Sequence, residues 1–184
     1  MKDNILFLKG FLTNFKNQGS IFASSKYLAN SIVNYYKNQK DLNILEIGGG
    51  TGSISCKIAN LSYKRFDILE LDSDLSKVLN EKFKNELNIN IFNQDLIKFD
   101  PAIKYDLIIC CLPLSNFSQE MNNKISNQIN YLLKKDGSLC YFEYLLLNKI
   151  SNIKKLDHSS LKEIDNKIVL KNIPPAKVHF FKKI

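Results

Sequence analysis

A run of glycines preceded by a glutamate is the segment of this chain best suited to chemistry. It reads Glu46-Ile47-Gly48-Gly49-Gly50-Thr51-Gly52, between a predicted strand and a predicted helix. Glycine lets the backbone turn sharply and approach a ligand closely, and the first N–H groups of a helix lack intrahelical partners. A dinucleotide-binding loop needs G-x-G-x-x-G, which places glycine at position 53, where this chain has Ser53. The pattern present is acidic-x-G-x-G-x-G, which disfavours a dinucleotide.

This pattern resembles motif I of class I S-adenosylmethionine-dependent methyltransferases. The resemblance implies that S-adenosylmethionine is the cofactor and S-adenosylhomocysteine the product. Glu70 ends the second predicted strand, where a carboxylate can accept two hydrogen bonds from a ribose diol. Asp95 matches the family acid that takes the adenine amino group. The predicted cofactor-binding residues are Ser25, Glu46, Gly48, Gly50, Gly52, Glu70, Leu71, Asp95, Leu96 and Cys111.

The segment after the fourth predicted strand indicates the kind of substrate. It reads 110-CCLPLSNF-117. Enzymes that methylate base amino groups carry Asp/Asn-Pro-Pro-Tyr here, with a polar first residue that orients the amine and an aromatic ring that stacks on the base. The equivalent in this chain is Cys111-Leu112-Pro113-Leu114. An apolar lining is therefore predicted, which counts against nucleobase chemistry.

Four segments together resemble the short, soluble bacterial phospholipid N-methyltransferases. They are 22-FASSKYLANSI-32, the glycine loop, 112-LPLSNF-117 and 171-KNIPPAKVHFF-181. Two positions depart from the family pattern: Ala23 replaces proline, and Glu143 in 141-YFEY-144 replaces a neutral residue. The resemblance implies stepwise N-methylation of phosphatidylethanolamine toward phosphatidylcholine.

The residues assigned to the reaction follow from this resemblance and from the chemistry of amines. Predicted substrate-binding residues are Leu112, Pro113, Leu114, Phe117 and Tyr144. Predicted catalytic residues are Tyr144, Tyr27 and Phe117, whose rings would hold a methylated ammonium. The attacking amine must lose a proton, and we expect Tyr144 before Tyr27 or Glu143 to relay it through water, since both histidines lie late in the chain. The four cysteines are expected to be buried free thiols, with no metal-ligand spacing and no metal site.

Alternating apolar runs position these residues. Strands are predicted at 42–47, 66–71, 88–92, 105–112 and 137–147, and helices at 25–38 with a Ser24 or Ser25 cap, 52–61, 74–86, 118–134 and 149–164. Two final strands, 167–172 and 176–183, flank Ile173-Pro174-Pro175 and form an antiparallel hairpin. The predicted fold is α/β, a class I methyltransferase Rossmann-like sheet that is mostly parallel, with helices on both faces.

Residues 3–17 are predicted to form an N-terminal basic amphipathic helix. Phe7, Phe11 and Phe15 lie on its apolar arc, and Lys2, Lys9 and Lys16 lie beside that arc. This layout is typical of a helix in a membrane interface, and packing on the protein's own sheet is the alternative. The formal charge of +8 favours an anionic partner, either a membrane surface or nucleic acid.

Residues 1–184 are therefore predicted to form one methyltransferase domain, a monomer at the inner face of the cytoplasmic membrane. The expected partner is a phospholipid at an anionic surface, and nucleic acid is not expected. Two alternatives remain open. One is an RNA methyltransferase, favoured by the charge and by a general likeness to rRNA adenine dimethylases. The other is a catalytically inactive protein that binds lipid or cofactor.

Overall fold

A seven-stranded sheet organises the part of the chain that the structure describes. The structure is a computed structural model, and it describes residues 21–145 and 160–184, with side chains from residue 26 onward. The strand order is β3-β2-β1-β4-β5-β7-β6. The strands are β1 Leu42–Ile47, β2 Tyr63–Leu69, β3 Ile89–Phe92, β4 Tyr105–Cys110, β5 Leu133–Tyr144, β6 Leu161–Val169 and β7 Ala176–Lys183.

Helices connect the parallel strands. They are α1 Ile21–Tyr36, α2 Ser55–Ile58, α3 Ser73–Lys82 and α4 Gln119–Leu132, with 3-10 turns at Leu96–Lys98 and Leu114–Asn116. Asp72 caps α3 by accepting hydrogen bonds from the N–H groups of Asp74 and Leu75. Ser118 caps α4 by accepting from the Met121 N–H. Each cap satisfies N–H groups that the first turn of a helix leaves without partners.

The predicted fold is confirmed. Strands β1 to β5 run parallel to one another, whereas β7 is antiparallel to both β5 and β6. Apolar side chains cover both faces, as expected for a sheet with helices on each side. Helices α1 to α3 pack on one face with Ile44, Phe66 and Phe180. Helix α4 packs on the other face with Ile47 and Ile108.

Several predicted boundaries were wrong. Residues 161–164 belong to β6 and not to the helix predicted at 149–164, whose other residues lie mostly outside the described part. The helix predicted at 52–61 is reduced to the four residues of α2, because turns occupy its ends. Helix α1 begins at Ile21, so Ser24 and Ser25 lie inside it and do not cap it. Cys56 is exposed and not buried, whereas Cys110 and Cys140 are buried.

The proposed membrane helix at residues 3–17 lies outside the described residues. Among the helices that are described, none is long and apolar enough to cross a bilayer.

Candidate functional site

The glycine loop lies at the carboxyl edge of the sheet, where open α/β sheets bind their ligands. Two backbone bonds fix its place: the Gly48 N–H donates to the Leu69 carbonyl at 2.8 Å, and the Cys111 N–H donates to the Ile47 carbonyl at 2.9 Å. The ends of β1, β2 and β4 are thereby joined. The glycine loop, the segment after β2 and the segment after β4 therefore lie together at the carboxyl edge of the sheet.

Gly49 and Gly50 face different surroundings within this loop. A Cβ on Gly49 would lie 2.4 Å from Ile68 Cγ2, so this glycine is required by packing against the sheet. A Cβ on Gly50 would meet nothing within 4 Å, and Gly50 has a positive φ of 55°. The loop therefore packs inward through Gly49 and leaves open space at Gly50, as a cradle for a ligand requires.

Glu70 joins the loop to the end of β2. Its Oε2 accepts from the Gly50 N–H and its Oε1 accepts from the Asp72 N–H, both at 2.8 Å. The side chain is buried, and burial raises its pKa, while the two N–H groups partly offset that rise. Each carboxylate oxygen retains a second lone pair. The two N–H groups fix the orientation of the Glu70 carboxylate, and its role in binding a ribose diol stays a prediction.

Asn93 supports Glu70 and was not identified from the sequence. Its amide donates to the backbone carbonyls of Glu70 and Leu71, at 2.9 and 3.0 Å. Asp95 begins the next 3-10 turn and accepts from the Ile97 N–H at 3.0 Å, with the buried Leu96 beside it. The Asn93 side chain thus connects the segment that carries Asp95 to Glu70 and Leu71, which follow β2.

Glu46 is a buried carboxyl group at the end of β1. Burial raises its pKa from 4.5 to about 8. Its Oε1 is 3.8 Å from the Cys111 sulfur, and hydrogen bonds with this thiol and with the Ser55 hydroxyl partly offset the rise in pKa. A carboxyl group buried with so few hydrogen bonds can form a further one with a ligand. With the open cradle at Gly50 and the position of Glu70, this group fits S-adenosylmethionine.

The predicted substrate segment is divided between the site and the core. The Leu112 side chain lies against the glycine loop, with its Cδ2 3.2 Å from the position of a Cβ on Gly48. Leu114 and Phe117 are buried in the cluster beneath α4, at 8% and 6% exposure. Asn122 holds the segment by donating to the Leu114 carbonyl at 3.1 Å. Leu112 therefore faces the cofactor loop, Pro113 is partly buried, and Leu114 and Phe117 anchor the segment.

The aromatic residues assigned to catalysis lie on two elements. Tyr144 ends β5, and burial, followed by the nearby Cys111, raises its pKa to about 12. Tyr27 lies on α1, 44% exposed, with Lys171 Nζ 5.8 Å from its ring centroid. Ser25 lies on the same helix, and its side chain is outside the described part. The roles of Tyr27, Tyr144 and Phe117 in the reaction stay predictions.

Glu143, one of the residues considered for the proton relay, contacts one of the two histidines that lie late in the chain. The His179 ring is buried, with Nε2 3.1 Å from Glu143 Oε1 and Nδ1 2.8 Å from Glu163 Oε1. Tyr141 stacks on this ring, with 5.0 Å between the centroids. Glu143, His179 and Glu163 lie on β5, β7 and β6, and they meet because β7 runs antiparallel to the strands on either side of it.

Comparison with known sequences gives one family match and several relatives. The sequence profile of the family described as ribosomal RNA adenine dimethylase matches residues 12–141. The chain is 23% identical to an ornithine lipid N-methyltransferase of Singulisphaera acidiphila, over 98% of this chain and 96% of that protein. It is 35% identical to ribosomal RNA small subunit methyltransferase A of Mesoplasma florum, but that match covers 48% of this chain and 33% of that protein.

Among solved structures, the N-methyltransferase NodS of Bradyrhizobium japonicum, in complex with S-adenosylhomocysteine, has the same fold. The TM-score is 0.71 at 14% sequence identity, and the match covers 86% of each chain. Together with the family match, this comparison confirms the predicted cofactor, S-adenosylmethionine.

Proposed function

We propose that this chain, which belongs to the ribosomal RNA adenine dimethylase family of class I S-adenosylmethionine-dependent methyltransferases, methylates the amine of a membrane lipid headgroup. The observation that carries the proposal is the extent of the lipid match. The chain and the ornithine lipid N-methyltransferase align over 98% and 96% of their lengths. The chain spans only a third of the ribosomal RNA methyltransferase of Mesoplasma florum.

The side chains beside the cofactor loop support a lipid substrate. Leu112 lies against Gly48, and it follows Cys111, which stands where base-methylating enzymes carry the aspartate or asparagine that holds a base amine. An aliphatic side chain offers no hydrogen bond to a base and packs well on methylene groups. The next residue, Pro113, is apolar as well and is partly exposed. These side chains suit the apolar part of a lipid headgroup region.

Methyl transfer to an amine requires positioning, exclusion of water and a route for one proton. When bound, S-adenosylmethionine supplies an activated methyl group on a sulfonium. Glu70, Glu46 and the open cradle at Gly50 would hold it. Leu112 and Pro113 would keep water from the neighbouring surface. The chain's remaining task is to take the proton that the amine loses.

Tyr144 can pass that proton on only as a neutral hydroxyl. Its pKa of about 12 keeps it protonated at neutral pH, so it does not act as a tyrosinate base. A neutral hydroxyl accepts one proton as it donates another, which is the relay through water predicted from the sequence. Glu143 is the alternative, with His179 and the partly exposed Glu163 behind it.

Two aminolipids are candidate substrates. Phosphatidylethanolamine is the one that the sequence resemblance implies, and ornithine lipid is the one named for the relative that matches along nearly its whole length. Both present a primary amine beside acyl chains. Association with an anionic membrane surface through residues 3–17, a monomeric state and a place at the inner face of the cytoplasmic membrane belong to the same proposal.

RNA methylation is the second candidate function, because the family is named for it and the chain carries a net charge of +8. A base amine would need a polar partner after β4. The only polar side chain in Cys111-Leu112-Pro113-Leu114 is the Cys111 thiol, and burial raises its pKa. We therefore rank the lipid amine first.

The test offers purified protein S-adenosylmethionine and one acceptor at a time in detergent micelles or buffer. The acceptors are phosphatidylethanolamine, ornithine lipid and a ribosomal RNA hairpin, and mass spectrometry detects added methyl groups. We expect methylated lipid and unmodified RNA, and no product from Gly50→Asp. Methylated RNA with unmodified lipids would overturn the proposal. Binding of S-adenosylhomocysteine without transfer to any acceptor would show the inactive alternative.

A further inference from the structure

The turn between β6 and β7, residues 170–175, inverts the usual arrangement of polar and apolar side chains. Leu170 is 72% exposed and Ile173 is 68% exposed, whereas Asn172 between them is fully buried. Surface turns normally expose polar residues, and burying an amide costs free energy unless it is hydrogen-bonded. A turn that hides its asparagine and presents two aliphatic side chains is suited to an apolar partner.

Hydrogen bonds hold the turn in this conformation. The Asn172 amide donates to the Pro174 carbonyl at 2.7 Å, and the Asn172 N–H donates to the Val169 carbonyl at 3.2 Å. The Leu145 N–H donates to the Pro175 carbonyl at 2.8 Å, which ties the turn to the end of β5. The outward direction of the two aliphatic side chains is therefore built into the turn.

The turn lies at the edge of the sheet that carries the candidate site. Strand β7 begins at Ala176, which pairs with Tyr144 at the carboxyl end of β5. Cys110 at the end of β4, two residues before Leu112, pairs with Tyr141 on the same strand. The turn, the substrate segment and the cofactor loop thus share the carboxyl edge of the sheet.

Positive charge lies beside the exposed apolar residues. Lys171 follows Leu170 directly in the turn and is exposed, and Lys26, next to Tyr27 on α1, is exposed as well. The Lys171 ammonium lies 5.8 Å from the ring of Tyr27, itself 44% exposed, so helix α1 adds an aromatic side chain to the same surface. Exposed aliphatic and aromatic side chains beside lysines match the layers of a bilayer surface, apolar below and anionic above.

We propose that this surface, formed by Tyr27, Leu170, Lys171 and Ile173, docks the enzyme on a bilayer that contains anionic lipids. The inference rests on the proposed function, because docking at the carboxyl edge brings lipid headgroups to the cofactor loop. Its residues are separate from the predicted helix at 3–17. Lys171 and Tyr27 could also contact a nucleic acid, but Leu170 and Ile173, the most exposed apolar side chains of this surface, would offer it neither charge nor a stacking ring.

A single tryptophan tests the surface directly, since the chain contains none. We would place it by Leu170→Trp, and by Leu87→Trp as the matched control. Leu87 is 96% exposed before β3, at the amino edge of the sheet. With vesicles of phosphatidylcholine and phosphatidylglycerol, emission from position 170 should shift to shorter wavelength and be quenched by brominated acyl chains. Emission from position 87 should do neither.

Two outcomes of that experiment would overturn the inference. One is an unchanged emission from position 170 when the full chain sediments with the vesicles, because binding would then use another surface. The other is a response at position 170 to a ribosomal RNA hairpin and not to vesicles.

A second variant measures what the surface contributes. Leu170→Ser with Ile173→Ser should lower vesicle partitioning by at least about tenfold, because two aliphatic side chains no longer enter the interface. Its affinity for S-adenosylhomocysteine and its turnover in micelles should match the parent protein. Equal vesicle partitioning of parent and variant would contradict the docking surface. If the parent methylates no aminolipid in micelles, the proposed function fails, while the tryptophan experiment still decides whether this surface meets the bilayer.

Discussion

The carboxyl edge of the sheet is built in two different ways. In the cofactor half, formed by β1 to β3 and the glycine loop, buried carboxyl groups and backbone N–H groups define the surface, as at Glu70 and Gly50. In the substrate half, formed by β4, β5, β7 and β6, aliphatic side chains define it, as at Leu112, Leu170 and Ile173.

The difference separates what is general from what is particular to this protein. Backbone donors and a carboxylate suited to a ribose diol do not depend on the substrate, and the chain's relatives are named for different substrates: an ornithine lipid, malonyl-[acyl-carrier protein] and ribosomal RNA. Substrate choice depends on side chains that a few substitutions would change. The two halves should therefore respond differently to mutation.

The largest expected effect is loss of cofactor binding in the cofactor half. Gly50→Asp should fill the open cradle, and Glu70→Ala should remove the diol acceptor. We expect each to weaken S-adenosylhomocysteine binding more than about 100-fold, about 3 kcal/mol. Calorimetric titration measures this, with the exposed Glu81→Ala as control. Unchanged affinity in both variants, with the fold intact, would refute the assignment of the loop.

A pH-dependent effect should follow from Glu46. Burial raises the pKa of Glu46 from 4.5 to about 8. Between these two pH values the folded protein keeps the Glu46 proton, whereas the unfolded chain releases it. The free energy of unfolding of the parent protein should therefore fall as the pH rises from 4.5 through 8. Glu46→Gln stays neutral. The stability difference, variant minus parent, should thus shift by about 3 kcal/mol in the variant's favour between pH 5 and pH 8.

Urea unfolding at several pH values measures that shift, with Glu81→Gln as the control for an exposed glutamate. A difference between Glu46→Gln and the parent that does not change with pH would show that Glu46 is ionised in the folded protein at pH 5.

Neighbouring glycines should separate packing from binding. Gly49→Ala places a methyl group against Ile68 and should cost about 1 to 3 kcal/mol of stability through overpacking. The methyl group of Gly50→Ala would meet no atom, so this variant should lose only about 1 kcal/mol of stability, because alanine disfavours the left-handed backbone at this position. Denaturant unfolding ranks the two variants. A larger loss at Gly50 would mean that the inward and open faces of the loop are reversed.

A substitution in the substrate half should leave cofactor binding intact. Leu112→Asn places a polar amide on the apolar lining, and we expect lipid turnover to fall about tenfold while S-adenosylhomocysteine affinity stays within about twofold. Leu87→Asn, at the opposite edge, is the control for solubility and folding. If Leu112→Asn weakens cofactor binding as much as turnover, the two halves are not independent.

The smallest effect is expected at Tyr144. A general base contributes about 10² to 10⁴ in rate, whereas a neutral hydroxyl in a water relay contributes less. Tyr144→Phe should therefore lower turnover by less than about tenfold and leave the pH profile between pH 7 and pH 9 unchanged. A greater loss with a shifted profile would identify Tyr144 as the base. Glu143→Gln, measured alongside, tests the alternative route through His179.

The cofactor half was predictable from sequence because its information is local. The glycines, Glu70 and Asp95 follow successive strands, so a correct sequence of elements brings them together. Strand β6 was predicted in part as helix, because it is an edge strand exposed on both faces, with an irregular register between Glu163 and Asp165. Both features remove the alternation of apolar and polar residues that identifies a strand.

Contacts that depend on register could not be predicted. Glu143, Glu163 and His179 meet because β7 lies between β5 and β6. The sequence predicts the antiparallel hairpin of the last two strands but not which of them pairs with β5. The raised pKa of Glu46 likewise requires its burial beneath the loop, and Asn93 carries no signal until Glu70 and Leu71 are placed beside it.

Strand β7 joins β5 to β6, yet the ribosome makes it after both of them. During synthesis the edge of β5 has no neighbour on that side, and β6 emerges before the strand to which it pairs. The cofactor half can assemble earlier, because each of its strands finds a neighbour already made or next to be made. Translation of β7, Ala176–Lys183, therefore joins the sheet into one unit. A ribosome stalled before that strand would hold a chain that has its cofactor loop and an exposed β5 edge open to aggregation.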